Sequence, residues 1–229
     1  MISGLFEANI TSDRLWSQVI GNFEQTKGRA ALFLDRDGVI VEEVNYLHRV
    51  EDVRLISGAA DVIKKANQMA IPVIIVTNQA GIGRNYYDWP QFDLVQKKIL
   101  AELFDADAQV NAVFACPYHS DARPPYYDPN HPARKPNPGM LKMAEAQLGI
   151  DLSGSWIAGD RAIDVRTGLN AGCAGGIHLT TGHGSRENEK STALALARKN
   201  YQVLSLNSIA DLLTELPLFN VQTTTGRSG

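Results

Sequence analysis

The run Asp35-Arg36-Asp37-Gly38 sets two carboxylates two residues apart, immediately after an apolar stretch. One carboxylate of such a pair can act as a nucleophile while its neighbour handles protons. Thr77-Asn78 offers a hydroxyl and an amide suited to phosphate oxygens. Arg134-Lys135, just before a helix start, offers a cationic site for a phosphoryl group. In Gly159-Asp160-Arg161-Ala162-Ile163-Asp164 two further carboxylates lie one turn apart. Hard oxygen ligands beside a phosphate site favour Mg²⁺. Taken singly, Asp-x-Asp-Gly is more often a turn, Thr-Asn more often a strand terminator and Arg-Lys more often a solvated loop. Their placement decides between the readings.

From Ala30 onward, short apolar runs alternate with amphipathic stretches, the pattern of a parallel sheet wrapped by helices. We therefore expect an α/β fold, a Rossmann-like three-layer α/β/α arrangement around a central, mostly parallel sheet of five or six strands. Ala30-Ala31-Leu32-Phe33-Leu34 is almost wholly apolar, as a strand covered on both faces should be. Ala59, Val62, Ile63, Ala66 and Met69 recur at helical spacing, and Val73-Ile74-Ile75-Val76 is the second strand. Asp88 caps a helix carrying Phe92, Val95, Ile99 and Leu103, and Ala112-Val113-Phe114-Ala115-Cys116 is the third strand. Residues 117–136 contain six prolines and read as a long surface loop. Asn137-Pro138 opens a helix that Gly149 stops, Ser155-Trp156-Ile157-Ala158 is the fourth strand, and a fifth lies near Gly176-Ile177-His178-Leu179. The four polar clusters thus follow strands one, two and four or precede a helix, and the carboxyl ends of a parallel sheet share one crevice.

Outside that frame, residues 11–24 predict a helix capped by Ser12, with Leu15, Val19 and Phe23 on one face. We expect residues 1–28 to form a helical extension, residues 29–216 the main domain, and residues 217–229 a disordered tail. The 229 residues are 44% hydrophobic and 21% charged with a net charge of -3, the profile of a water-soluble globular chain rather than of a polyanion binder. No nucleic-acid partner is expected. The N-terminus lacks a charged start and an apolar core, and no run is long enough to span a bilayer, so no membrane partner and a cytoplasmic location are expected. Cys116 and Cys173 are too few for a disulfide framework. A monomer is expected.

The order Asp-x-Asp, Thr, Lys, Gly-Asp-x-x-x-Asp resembles the haloacid dehalogenase superfamily over residues 29–182. Phe33-Leu34-Asp35-Arg36-Asp37-Gly38-Val39-Ile40, Thr77-Asn78-Gln79-Ala80-Gly81-Ile82, Cys116-Pro117 and Arg134-Lys135-Pro136-Asn137-Pro138-Gly139-Met140 are similar to the D-glycero-D-manno-heptose 1,7-bisphosphate phosphatases, whose close relatives act on histidinol phosphate. The resemblance implies a phosphatase of a small phosphorylated metabolite, with Asp35 as nucleophile, Asp37 as acid/base, and Thr77 and Lys135 as further catalytic residues. It also implies Mg²⁺ held by Asp35, the Asp37 carbonyl and Asp160. Substrate would be held by Glu43, Val44, Asn45, Tyr46, Thr77, Asn78, Gln79, Ala80, Arg134, Lys135 and Arg161. Asp164 is expected to orient Lys135 or a metal-bound water.

In that family the long loop commonly holds Zn²⁺ through a Cys-x-His and a later Cys-x-Cys pair. Here only Cys116 persists; Tyr118, His131 and Ala133 stand at the other positions. Cys116, His119 and His131 could offer three scattered ligands without a fourth, so no zinc is expected and the loop should be ordered by prolines and tyrosines. His48, His178 and His183 read as packed or solvated, and Trp16, Trp89 and Trp156 as packing residues. Arg186-Glu187-Asn188-Glu189-Lys190 reads as a solvent-facing loop. About forty residues separate Asp35 from Thr77 and a helix fills much of the interval, leaving no room for a large cap domain. A site without a cap could also admit a phosphoprotein or a nucleic-acid end, though the weakly acidic chain carries no basic track for a polyanion.

Overall fold

The structure, a computed structural model, describes residues 8–21 and 23–220. Where a helix is expected over residues 11–24, the chain instead forms two strands, β1 (Asn9–Ile10) and β2 (Trp16–Val19), followed by a 3₁₀ turn at Phe23–Gln25. Leu15 and Val19 fit a four-residue helical spacing and a two-residue strand spacing equally well, and tertiary pairing decides. Arg14 adopts φ 57° in the connecting turn, a conformation no helix contains. β2 runs antiparallel along β5 (Ala112–Cys116), with Trp16 opposite Ala115, and so covers a strand that would otherwise be an exposed edge.

The rest of the chain follows the expected alternation. β3 (Ala30–Leu34) leads through residues 36–58, which hold only a short 3₁₀ turn and isolated bridges, into α1 (Ala59–Gln68). β4 (Val73–Asn78) is followed by the short α2 (Ala80–Gly83) and by α3 (Trp89–Asp105), which opens with a capping box between Asp88 and Gln91. After β5 and the long loop come α4 (Gly139–Leu148), β6 (Asp151–Gly159), α5 (Ala162–Ala171) and β7 (Gly175–Leu179). Gly149 ends α4 in the left-handed conformation, φ 66°, as expected of a glycine stop. α6 (Glu189–Leu194), β8 (Gln202–Leu206) and α7 (Leu212–Glu215) complete the chain. The start of the expected tail is ordered: Pro217–Phe219 form a 3₁₀ turn with Leu218 and Phe219 buried in the core, because their apolar surface finds a place there. The remainder of that tail lies outside the described residues.

The eight strands form one sheet in the order β1-β2-β5-β4-β3-β6-β7-β8, parallel from β5 to β8. Alternation along the strands builds two cores, one per face. Leu32, Leu34, Val73, Ile75 and Ala158 pack with α1 and α3, whereas Ala31, Phe33, Ile74, Val76 and Ile157 pack with α4 and α5. This is the three-layer α/β/α arrangement, without a large cap domain. β3 has β4 on one side and β6 on the other, so the chain reverses direction across the sheet beside Asp35. Among the described residues no helix is long and apolar enough to cross a membrane.

Candidate active site

Asp35 stands one residue past β3 and is nearly sealed from solvent. Its Oδ1 accepts from the Arg36 backbone N–H at 2.7 Å and meets the Lys135 ammonium at 2.9 Å. Lys135 is buried too; its ammonium also lies 2.6 Å from Asp164 Oδ1 and donates to the Val76 carbonyl at 3.0 Å. Burial disfavours the ammonium, but Asp164 and Asp35 outweigh it and raise the Lys135 pKa. Asp164 in turn accepts from the Arg161 N–H at 3.0 Å, which fixes it at the start of α5. A Cβ at Gly159 would overlap the Asp164 side chain, so glycine in Gly-Asp is what lets this carboxylate approach. Of the two expected partners of Asp164, the structure places Lys135 against it.

Asp160, after β6, accepts from the His183 backbone N–H at 2.7 Å, and Gly38 and Gly182 both pack against its carboxylate. Carboxylate oxygens of Asp35, Asp160 and Asp164 all lie within 4.8 Å of one another, the one such group among the described residues. Burial and mutual repulsion raise Asp35 to about 6, despite the opposing pull of Lys135, and raise Asp160 to about 8. Three carboxylates face one ammonium here. The hard oxygen donors and the excess negative charge fit Mg²⁺, with Asp35 and Asp160 as ligands, since Asp164 is committed to Lys135.

Asp37 is gripped rather than free. Arg36 Nε lies 3.2 and 3.1 Å from its two oxygens, Arg36 Nη2 lies 3.0 Å from Oδ1, and Gln79 Nε2 donates to Oδ2 at 3.0 Å. Arg36 is 1% exposed and lies over the Phe92 ring. Gln79 also donates to the Thr77 hydroxyl oxygen at 2.8 Å and accepts from the Tyr87 hydroxyl. Two residues expected on the substrate thus have different partners. Both amide atoms of Asn78 hold the Lys135 backbone, at 3.2 and 3.1 Å, and the Gln79 amide is 3% exposed within the Asp37 network. Both residues also line the surrounding cleft.

These groups form the floor of a cleft of about 650 Å³. Glu43, Val44, Asn45, Tyr46, Ala80, Arg134 and Arg161 line its walls. Arg134 donates to the Tyr118 carbonyl at 2.7 Å, and Arg161 sits half-exposed with Glu189 at 3.5 Å. Burial, followed by repulsion from Asp37 and Asp35, raises Glu43 to about 7. The cleft also contains Arg84, Tyr87, His119, His183 and Arg186, none of them among the expected site residues. Arg84 ties the walls together, bonding the Tyr46 hydroxyl and the Asp121 carboxylate at 3.0 Å. His183 and Arg186 follow β7, so extending the rule of strand carboxyl ends by one more strand would have found them.

The long loop offers no zinc donor set. Ala133 has no ligand atom, the Tyr118 ring stacks on His131 at 3.8 Å and 4°, and His131 Nδ1 accepts from the Ala133 N–H at 3.1 Å. Burial pushes the Cys116 thiol up to about 12.

Residues 132–211 match the HAD-hydrolase-like family. The chain is 40% identical over 167 residues to the D-glycero-beta-D-manno-heptose-1,7-bisphosphate 7-phosphatase of Mesorhizobium japonicum, covering 73% of this chain and 77% of that protein. It is also similar to a Mesorhizobium loti protein described as a HAD-like phosphatase, with TM-score 0.79, 34% identity, and 90% and 92% of the two chains covered. The crystal structure of D,D-heptose 1,7-bisphosphate phosphatase from B. bronchiseptica, complexed with magnesium and phosphate, matches with TM-score 0.67 and 26% identity over 82% of this chain and 98% of that one.

Proposed function

The chain belongs to the HAD-like phosphatases, the family that includes the heptose bisphosphate 7-phosphatases, and from that premise we propose that it is a Mg²⁺-dependent phosphatase that removes the 7-phosphate of D-glycero-D-manno-heptose 1,7-bisphosphate through an aspartyl-phosphate on Asp35. The observation that carries this reading is the Asp35-Lys135-Asp164 chain, with Asp160 beside it, at the floor of a cleft walled by polar and cationic side chains.

An aspartate that attacks a phosphate dianion meets like-charge repulsion. Lys135, held by Asp35, Asp164 and the Val76 carbonyl, would set its ammonium beside the transferring phosphoryl group, and the Thr77 hydroxyl can donate to an equatorial oxygen. Mg²⁺ held by Asp35, the Asp37 carbonyl and Asp160 would supply the remaining positive charge. Attack by Asp35 forms a carboxylate oxygen to phosphorus bond as the bond to the sugar oxygen breaks. Asp37 gives its proton to that departing alkoxide. It then takes a proton from the water that hydrolyses the acyl phosphate, and free Asp35 returns with inorganic phosphate. Arg36 and Gln79 hold Asp37 for both steps.

A seven-carbon bisphosphate exploits the walls as well as the floor. Its hydroxyls can meet Asn45, and its second phosphate Arg134, so binding energy from the body of the substrate can be used at the reacting centre. The test is phosphate release with Mg²⁺ over a panel containing this heptose bisphosphate, histidinol phosphate and p-nitrophenyl phosphate. We expect kcat/KM for the heptose bisphosphate to exceed that for the aryl ester by about a hundredfold or more, with the 1-phosphate retained in the product. Equal rates across the panel would remove the heptose assignment.

A further inference from the structure

We propose that the stacked rings of Tyr118 and His131, with Tyr126 against the Tyr118 edge, form an aromatic clasp that positions Arg134 for substrate, in place of any loop metal. The loop over residues 117–136 has no helix or strand, only an isolated bridge between His119 and Tyr127, so holding one side chain still within it requires specific contacts. Those contacts close a ring. The Arg134 guanidinium donates to the Tyr118 carbonyl at 2.7 Å, and the Arg134 N–H donates to the His131 carbonyl at 2.9 Å. The Ala133 N–H donates to His131 Nδ1 at 3.1 Å, and the His131 ring lies flat on Tyr118 at 3.8 Å and 4°. Both ends of Arg134 are therefore tied to the two stacked residues.

The clasp is anchored to the body of the protein. Tyr118 donates its hydroxyl to the Asp13 carbonyl at 3.1 Å, in the turn between β1 and β2, and meets Tyr126 edge-on at 5.5 Å. The Tyr126 hydroxyl accepts from Trp89 at the start of α3, at 3.1 Å. The N-terminal hairpin thereby gains a function: it braces the loop that presents Arg134. Ala133 and the buried Cys116 thiol leave no tetrahedral donor set to do that work, so ring stacking supplies the rigidity.

The proposal rests on the bisphosphate reading for its kinetic consequence but not for its structural one. Tyr118→Ala and His131→Ala should each raise KM for the heptose bisphosphate about tenfold while kcat changes less than about twofold. Tyr118→Phe and His131→Phe keep the stack but lose the Asp13 anchor and the Ala133 acceptor respectively, so each should reverse most, though not all, of the rise in KM. In an Arg134→Ala background, Tyr118→Ala should add no further loss, because both remove the same interaction. Hydrogen exchange followed by mass spectrometry should show residues 128–139 exchanging about tenfold faster in the two alanine variants, with or without substrate. Additive losses in the double variant, or unchanged exchange in that segment, would overturn the clasp. If the native enzyme shows no preference for the bisphosphate, the function reading fails and the exchange measurement still decides the clasp.

Discussion

In the proposed reaction Asp37 does two opposite things, giving a proton and then taking one, and its loss should show in the leaving group. Asp37→Asn should cost an alkyl phosphate about a hundredfold more than an aryl phosphate, whose departure needs no proton. Parallel kcat/KM measurements on both esters check this; equal losses would assign the acid role elsewhere. A second prediction falls on Gly159, where a methyl group would overlap Asp164. Gly159→Ala should displace Asp164, loosen Lys135 and lower kcat by about tenfold or more, with a stability cost of about 1–3 kcal/mol. A full-activity Gly159→Ala enzyme would mean that Asp164 does not set Lys135. At this scale the sequence was legible where residue type and strand end coincide: Asp35, Lys135, Asp160 and Asp164 do converge. It was opaque for the contacts that Asn78 and Gln79 make with the distant Lys135 backbone and Asp37. Nothing local distinguishes an amide that binds substrate from one that binds its own protein.

Among the elements, the clearest departure is the N-terminal segment, where strand pairing with β5 wins over a helical spacing. Trp16 stacks with Trp89 at 5.7 Å and meets Phe92 edge-on at 5.1 Å, so the hairpin is part of the core. Trp16→Ala should cost about 3–5 kcal/mol, read as a lower urea midpoint with an unchanged m-value. A cost below about 1 kcal/mol would show a loosely attached hairpin. β8 also escaped the sequence reading, because Gln202–Leu206 is only half-buried and its polar Gln202 and Ser205 break the apolar run. By contrast β3, β4 and β5 were readable because burial on both faces makes their apolar runs nearly continuous.

Over the whole molecule, the parallel sheet gathers four separated sequence clusters at one edge, while loops supply the walls that a large cap would otherwise provide. The excess of carboxylates over cations on the cleft floor suits a divalent ion, on which the proposed activity would depend. EDTA should abolish phosphate release, and Mg²⁺ added without Zn²⁺ should restore it. Restoration that requires Zn²⁺ would contradict both the metal assignment and the zinc-free loop. The covalent step on Asp35 is the centre of the account, and Asp37→Asn offers the means to see it. With an aryl phosphate this variant should form the aspartyl-phosphate readily yet hydrolyse it slowly, for want of a base. Rapid acid quench followed by peptide mass mapping should then place one phosphoryl group on Asp35, and none when Asp35→Asn is added. Turnover of the ester with no phosphorylated peptide, or with the label on another residue, would contradict it.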